Sequence, residues 1–220
     1  MEIKVIKYTN EEALRLANSF TSGKESHMTL ATAYRYGHST IRTQRFYVLL
    51  KDTPLFVASQ LVRSHVGVQW YQRSKRTDRD GENFSAVCDD IADTLLELDF
   101  DTTYDIEERR GVQNSVDADI RSLPERFDRY APTDLMGDLN AETLINLAHK
   151  RLCNKASKET REVMTAICNE VLKVDPDLFV HLVPQCIHCG YCPEPKGCHY
   201  IDSEIGKVDR QTYLDLFKQK

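Results

Sequence analysis

Between Gln60 and Arg76 the chain reads Gln60-Leu-Val-Arg63-Ser-His65-Val-Gly-Val-Gln-Trp-Tyr-Gln72-Arg73-Ser74-Lys-Arg76, a burst of hydrogen-bond donors closing an apolar segment. Arg63, His65, Arg73 and Arg76 fall within fourteen residues, interleaved with amides and hydroxyls, and no carboxylate occurs from Thr53 to Arg76. A helix that needed only solubility would mix both signs of charge. A donor-rich, acid-free run suits an anionic, hydrogen-bonding ligand such as a nucleotide phosphate, because guanidinium groups present paired N–H donors to phosphate oxygens. A solvated basic face is the alternative reading of this stretch taken alone.

A second group of reactive side chains sits near the C-terminus. Cys186, Cys189, Cys192 and Cys198, with His188 and His199 nearby, have spacing compatible with zinc, with an iron–sulfur cluster, or with unliganded thiols. The chain carries no Ser-His-Asp order, Gly-rich phosphate loop or His-Glu-x-x-His motif. Glycine is scarce, at 9 residues, which disfavours dinucleotide binding through a glycine turn. Side-chain donors must carry the chemistry.

The elements that position these groups read as one α+β, helix-rich domain over residues 1–183 with a Cys-rich tail over 184–220. Glu2–Tyr8 alternates like a strand, and Thr9 or Asn10 can cap a helix to about Ser19. Leu30–Tyr36 reads as a helix ending at Gly37, and Phe46–Leu50 as a short strand. Thr53-Pro54 reads as a cap and first helical proline, opening a helix to Arg63 with Leu55, Ala58, Leu61 and Val62 on one stripe. Val87, Ile91, Leu95 and Leu98 predict a helix after Ser85, with a turn at Asp80-Gly81 before it and an acidic loop over Asp99–Gly111 after it. Asn140 can cap a helix burying Leu144, Leu147, Ala148 and Leu152, and a last helix buries Val163, Ile167, Val171 and Leu172 before Pro176.

Bulk properties narrow the function. Hydrophobic content of 41% and charged content of 29% over 220 residues describe an ordinary globular protein with a proper core. A net charge of −5 argues against binding a nucleic-acid polymer, which would need a basic excess, so phosphate recognition must be local. No apolar run approaches the roughly 18 residues of a membrane span, and Met1-Glu-Ile-Lys-Val lacks a signal-peptide core, so the expected location is cytoplasmic. Seven cysteines, with Cys88, Cys153 and Cys168 in helix-like contexts, do not read as a secreted disulfide framework.

Five segments, in order, resemble the flavin-dependent thymidylate synthases. Their signature reads Arg-His-Arg, two residues, Ser, one residue, Asn-Glu, one residue, Ser, one residue, Arg. One extra residue after Arg63 brings His65, Ser74 and Arg76 into register, with Gln72 in place of the glutamate. Asn140-Ala-Glu-Thr-Leu-Ile-Asn146 through Arg151-Leu-Cys to Ala156-Ser-Lys-Glu159-Thr-Arg161 is similar to the family's second block, without a gap from Asn140 to Arg151. Gly37-His38-Ser39-Thr40, Arg121-Ser-Leu-Pro124 and the tail from Pro184 to Cys198 resemble three further elements.

The resemblance implies an enzyme that methylates deoxyuridine monophosphate at C5, with methylenetetrahydrofolate as carbon donor, reduced FAD as hydride donor, NADPH as reductant, and no cysteine nucleophile. It implies the family's helix-rich fold with a small antiparallel or mixed sheet, and a homotetramer with the flavin between subunits. Arg151 matches the catalytic position, a guanidinium against the uracil edge that stabilises developing negative charge. Gln60, Arg63, Gln72, Arg73, Ser74, Arg76 and Arg121, with Arg151, match nucleotide contacts, and His38, Arg63, His65, Asn140 and Asn146 match flavin contacts. A structural zinc on Cys186, Cys189, Cys192 and Cys198 is the metal expectation.

Each residue also has a plainer reading: Asn140 as a helix cap, Arg151 as a surface ion-pair partner, Trp70 and Tyr71 as core, His38 and His65 as structural histidines. The chain departs from the pattern mostly on the flavin side. The second arginine of Arg-His-Arg is lost at Val66, Asn-Ala-Arg becomes Asn140-Ala141-Glu142, and a Glu-His pair is replaced by Thr43-Gln44. Three rival readings follow: a diverged, viral enzyme adding a hydroxymethyl group to a pyrimidine nucleotide, a nucleotide-binding relative without catalysis, and a small zinc-bearing interaction protein.

Overall fold

Among the described residues, alternation of inward and outward side chains builds one antiparallel sheet of four strands in the order β1-β2-β4-β3, where β1 is Glu2–Lys7, β2 Arg45–Pro54, β3 Val68–Gln72 and β4 Pro132–Asn140. The computed structural model describes residues 1–73 and 132–218, so Asp80-Gly81, the helix over 85–98 and the loop over 99–111 lie outside the described residues. The helices are α1 (Glu11–Ser22), α2 (Leu30–Arg35), α3 (Leu55–Leu61), α4 (Ala141–Arg151), α5 (Lys158–Val174), α6 (Pro176–Phe179), α7 (Gln185–Cys189) and α8 (Glu204–Lys218), with a 3-10 turn at Ser39–Thr43. Phe46, Val48 and Leu50 of β2 and Leu135 and Leu139 of β4 share the core with Leu144, Leu147 and Ala148 of α4 and Val163, Met164, Ile167 and Val171 of α5. Each large apolar side chain so buried contributes about 1.5–3 kcal/mol from area removed from water.

Several sequence expectations change. Thr53 and Pro54 do not open α3; they end β2, paired with Thr133 and Pro132 beyond a bulge, and the Thr53 hydroxyl has no hydrogen-bond partner among the described residues. Sheet pairing wins over capping there. Within α3 the buried stripe is Val57, Ala58 and Leu61, with Leu55 and Val62 only half-buried. Leu172 is 43% exposed, because α5 turns Val163, Met164, Ile167, Cys168 and Val171 inward and Leu172 lies a further 100° round. Asn10 does stand at the start of α1 but makes no side-chain cap bond, while Thr9 accepts from the Arg45 amide at 2.8 Å.

Asp175 ties the N-terminal half to the helical layer. Its Oδ2 accepts from Lys7 Nζ at 2.6 Å and from the Tyr34 hydroxyl at 2.8 Å, while Oδ1 accepts from the Leu178 amide at 3.0 Å and caps α6. β1, α2 and the α5–α6 corner thus meet on one buried carboxylate, and burial beside that carboxylate raises the Tyr34 phenol well above its ordinary pKa. Asp175→Ala leaves a nearly buried ammonium, a hydroxyl and an amide unpaired, and is expected to cost about 3–5 kcal/mol in urea unfolding.

The tail is held by rings. His149 of α4 lies against His188 of α7 with centroids 4.8 Å apart, His188 Nδ1 meets the Tyr213 hydroxyl of α8 at 2.9 Å, and Tyr213 stacks edge-on with Phe217 at 5.0 Å. His149 Nε2 is buried without a partner among the described residues. Burial first, then the nearby His188 and His181, lower its pKa from 6.5 to about 4. The fold therefore favours neutral His149: its contribution is whole above pH 6.5 and is lost as pH falls toward 4. We expect wild type to lose on the order of 1–2 kcal/mol more than His149→Phe between pH 7 and 4.5, a figure reduced for the partly exposed ring. Urea titrations of both proteins at the two pH values measure this difference.

Candidate functional site

Arg151 ends α4 and is brought to α3 by the packing of both helices on the sheet. Its Nη1 donates to Gln60 Oε1 at 3.2 Å and its Nη2 to the Gln60 carbonyl, so one glutamine holds two corners of the guanidinium. Arg151 Nε is buried and has no partner among the described residues. Burial, then repulsion from the Arg63 guanidinium, lowers the Arg151 pKa, although an arginine remains charged. Neither Arg63 nor Arg151 forms an ion pair among the described residues. A cation held by Gln60, with an orphaned buried donor and a second positive charge nearby, makes a site whose unmet partner is an anion or a carbonyl oxygen.

Arg63 and His65 are exposed on the loop between α3 and β3, which is fixed at three points. Thr143 Oγ1 donates to the Val66 carbonyl at 2.7 Å, Trp70 Nε1 to the Ser64 carbonyl at 2.9 Å, and the Asn140 amide to the Gly67 carbonyl at 3.1 Å. Gly67 has φ +73°, and a Cβ there would stand 2.3 Å from Asn140 Nδ2, so only glycine fits. Trp70 also covers Gly137 in the neighbouring strand, settling it as packing.

Asn140 Oδ1 accepts from the Thr143 amide at 2.9 Å and caps α4, the plain role its type and place implied. Asn146 is exposed on α4, and His38 is exposed at the start of the 3-10 turn with Nδ1 3.4 Å from Thr40 Oγ1. Glu142, where the pattern has arginine, is held bidentately by Arg42 at 2.7 and 3.1 Å. Gln44 is fully buried, its Nε2 donating to the Asn10 carbonyl at 3.0 Å, so this departure serves the fold. Gln72 reaches Thr133 at 3.5 Å, and Arg73 lies 3.6 Å from Asp134 beside a separate hollow on the outer sheet face. Gln60, Arg63 and Arg151 are thus brought together, whereas Gln72 and Arg73 stand apart from them within one chain. Ser74, Arg76 and Arg121 lie outside the described residues.

Arg151 and Gln60 open onto a cavity of about 330 Å³. Its far wall is the tail: Cys186, Cys192, Cys198 and Tyr200 face Cys153 and Lys155 of the loop after α4. Burial first, then the thiols of Cys153, Cys192 and Cys198, hold the Cys186 thiol above its ordinary pKa. Cys189, expected with the other three, does not line this cavity; its Sγ donates to the carbonyls of Gln185 at 2.9 Å and Tyr191 at 3.1 Å. No set of three or more His, Cys, Asp or Glu side chains among the described residues stands ready to hold a metal. Cys153 was missed because its spacing from the tail exceeds thirty residues, and only folding reveals the proximity. Among the described residues no helix is long and apolar enough to cross a membrane.

The chain is similar to known proteins in both sequence and fold. The profile described as thymidylate synthase complementing protein matches residues 4–177. A flavin-dependent thymidylate synthase of Clostridium tetani is 32% identical over 115 residues, covering 51% of this chain and 43% of that protein. One from Sulfurisphaera tokodaii is 36% identical over 70 residues, covering 30% of this chain and 27% of that protein. The chain therefore matches less than half the length of these relatives. The fold is similar to that of Thymidylate Synthase X from Helicobacter pylori, solved with FAD and dUMP, with a TM-score of 0.54 at 16% identity over 83% of this chain and 99% of that one. By the extent of the profile match, the chain belongs to the thymidylate synthase complementing protein family.

Proposed function

We propose that the chain is a flavin-dependent thymidylate synthase that methylates dUMP at C5 to give dTMP, with methylenetetrahydrofolate as carbon donor and NADPH as reductant. The observation that carries this reading is Arg151 fixed by Gln60 with its Nε buried and unpartnered, beside a cavity and within the field of Arg63, with no carboxylate paired to either arginine among the described residues. Methylation at C5 requires electron density to move from the ring toward that carbon while negative charge gathers at the N3–carbonyl edge. A guanidinium already fixed by Gln60 and partly withdrawn from water stabilises that charge without reorganising. Gln60, Arg63, Gln72, Arg73, Ser74, Arg76 and Arg121 complete the nucleotide set in this reading, with residues 1–183 as the catalytic unit.

The residues present fit FAD. Arg63 and His65 are exposed donors suited to a diphosphate, with His38 and Asn146 also exposed and Asn140 at the N-terminus of α4. FAD supplies the hydride when bound. That His38, Arg63, His65 and Asn146 lie open in a single chain supports a site completed by another copy in a homotetramer, whereas Asn140 is buried and occupied as the α4 cap. A cytoplasmic location and a structural zinc in the tail belong to the same reading.

The test is a product assay with dUMP, methylenetetrahydrofolate, FAD and NADPH, together with the change in flavin absorption on adding dUMP. dTMP formation is expected, falling about 100-fold or more in Arg151→Ala, with Arg151→Lys failing to restore it because a point charge cannot keep both Gln60 bonds. Gln60→Ala removes the Oε1 acceptor and leaves only the backbone carbonyl to hold Arg151, and is expected to raise KM about tenfold, a loss of roughly 1.4 kcal/mol in binding. No product, or only a 5-hydroxymethyl nucleotide, overturns the proposal.

A further inference from the structure

We propose that Cys153, Cys186, Cys192 and Cys198 form a structural zinc site that fastens the tail to the loop following Arg151, and that Cys189 is not a ligand. The sequence spacing of the tail points to Cys189 as a natural fourth partner, but the fold points elsewhere. All four proposed ligands line the same cavity, and Cys189 does not. Cys189 follows Ile187 and His188 on α7 and turns its sulfur to the carbonyls of Gln185 and Tyr191. Cys186 lies on the same short helix three residues earlier, on the cavity side.

The segment that carries Cys192 and Cys198 is folded tightly and tied to the loop that carries Cys153. At Gly197 the chain passes so near Cys192 that a Cβ would lie 3.1 Å from its Sγ, which folds the segment between Cys192 and Cys198 back on itself. Lys155 Nζ donates to the Lys196 carbonyl, pinning this same segment to the loop that carries Cys153. The thiols surround the cavity without yet converging on a point. Cys198 is exposed and Cys192 and Cys153 are half-buried, so the adjustment falls on side chains and a surface segment, not on the core.

Four thiolates at about 2.3 Å in a tetrahedron are a closed structural zinc sphere. Binding one Zn²⁺ makes four Zn–S bonds and releases four thiol protons to solvent, with no change of oxidation state. The resulting double negative charge is offset by Lys150 and Lys155, which line the same cavity. Such a clip closes a loop of more than thirty residues, from Cys153 to the tail.

The test uses the full chain, produced in zinc-supplemented medium and purified without chelator or histidine tag. Metal analysis is expected to find about one zinc per chain in wild type and in Cys189→Ser, and less than a tenth of that in Cys153→Ser. A second measurement covers a Cys153→Ser protein that fails to fold. In native wild type, iodoacetamide is expected to label Cys189 while Cys153, Cys186, Cys192 and Cys198 are protected, and chelation is expected to expose those four. Zinc lost in Cys189→Ser, Cys189 protected with the others, disulfides among these cysteines, or protein free of zinc would each overturn the proposal. These outcomes are read without nucleotide or flavin, so they stand apart from the fate of the catalytic reading.

Discussion

The strand-to-helix junction at Asn140 is the constraint on which the site depends. β4 passes into α4 with no intervening loop, and four parts of the chain are knotted there. Asn140 caps α4 through Thr143, its amide takes the Gly67 carbonyl, the Ala141 amide takes the Gln44 carbonyl at 2.9 Å, and Thr143 also holds Val66. The direction of α4 and the course of the Arg63–His65 loop are therefore set together. α4 then carries Arg151 to Gln60 at the end of α3, three residues before Arg63. One buried amide thus aligns the two ends of the donor cluster, which explains why a residue offered as a cofactor contact is occupied with backbone bonds.

What this alignment creates is unfavourable by itself. The Arg151 guanidinium is partly buried with its Nε orphaned, and the charge of Arg63 opposes its own. Such an arrangement persists when the rest of the fold over-determines it, and it stores affinity for a negatively charged or carbonyl-rich partner. The Asp175 hub provides part of that determination by locking β1, α2 and the α5–α6 corner behind the site. Stability and binding are thereby separated in space: the buried carboxylate satisfies one set of donors, and the exposed cavity leaves another set open.

The tail is more than an appendage. Its rings pack on His149 and its thiols face Cys153, so both ends of the stretch around Arg151 are contacted by residues beyond 184. The family profile ends at residue 177, yet the cavity beside Arg151 has the tail as a wall.

The local patterns were legible from sequence. Alternation in Glu2–Lys7, the Asn140 cap, the α4 stripe as far as Ala148 (Leu152 follows the helix and is half-buried) and most of the α5 stripe each depend on neighbours within a few positions. The donor types at Gln60, Arg63 and Arg151 were likewise evident, as was their order along the chain. Strand β4 was not, since Pro132, Asp134, Gly137, Asp138 and Asn140 are poor strand formers; it exists because Leu135 and Leu139 fill the core and Trp70 requires a glycine opposite. Thr53 read as a cap until Thr133 supplied a strand partner. The cysteines show the division most clearly. Spacing gave the chemistry of the tail, but spacing is one-dimensional and joined Cys189 to its neighbours. Packing of α4 against α7 replaced it with Cys153 on the shared cavity, because which sulfurs face one another is set by helix direction and contact, and neither is written in a local pattern.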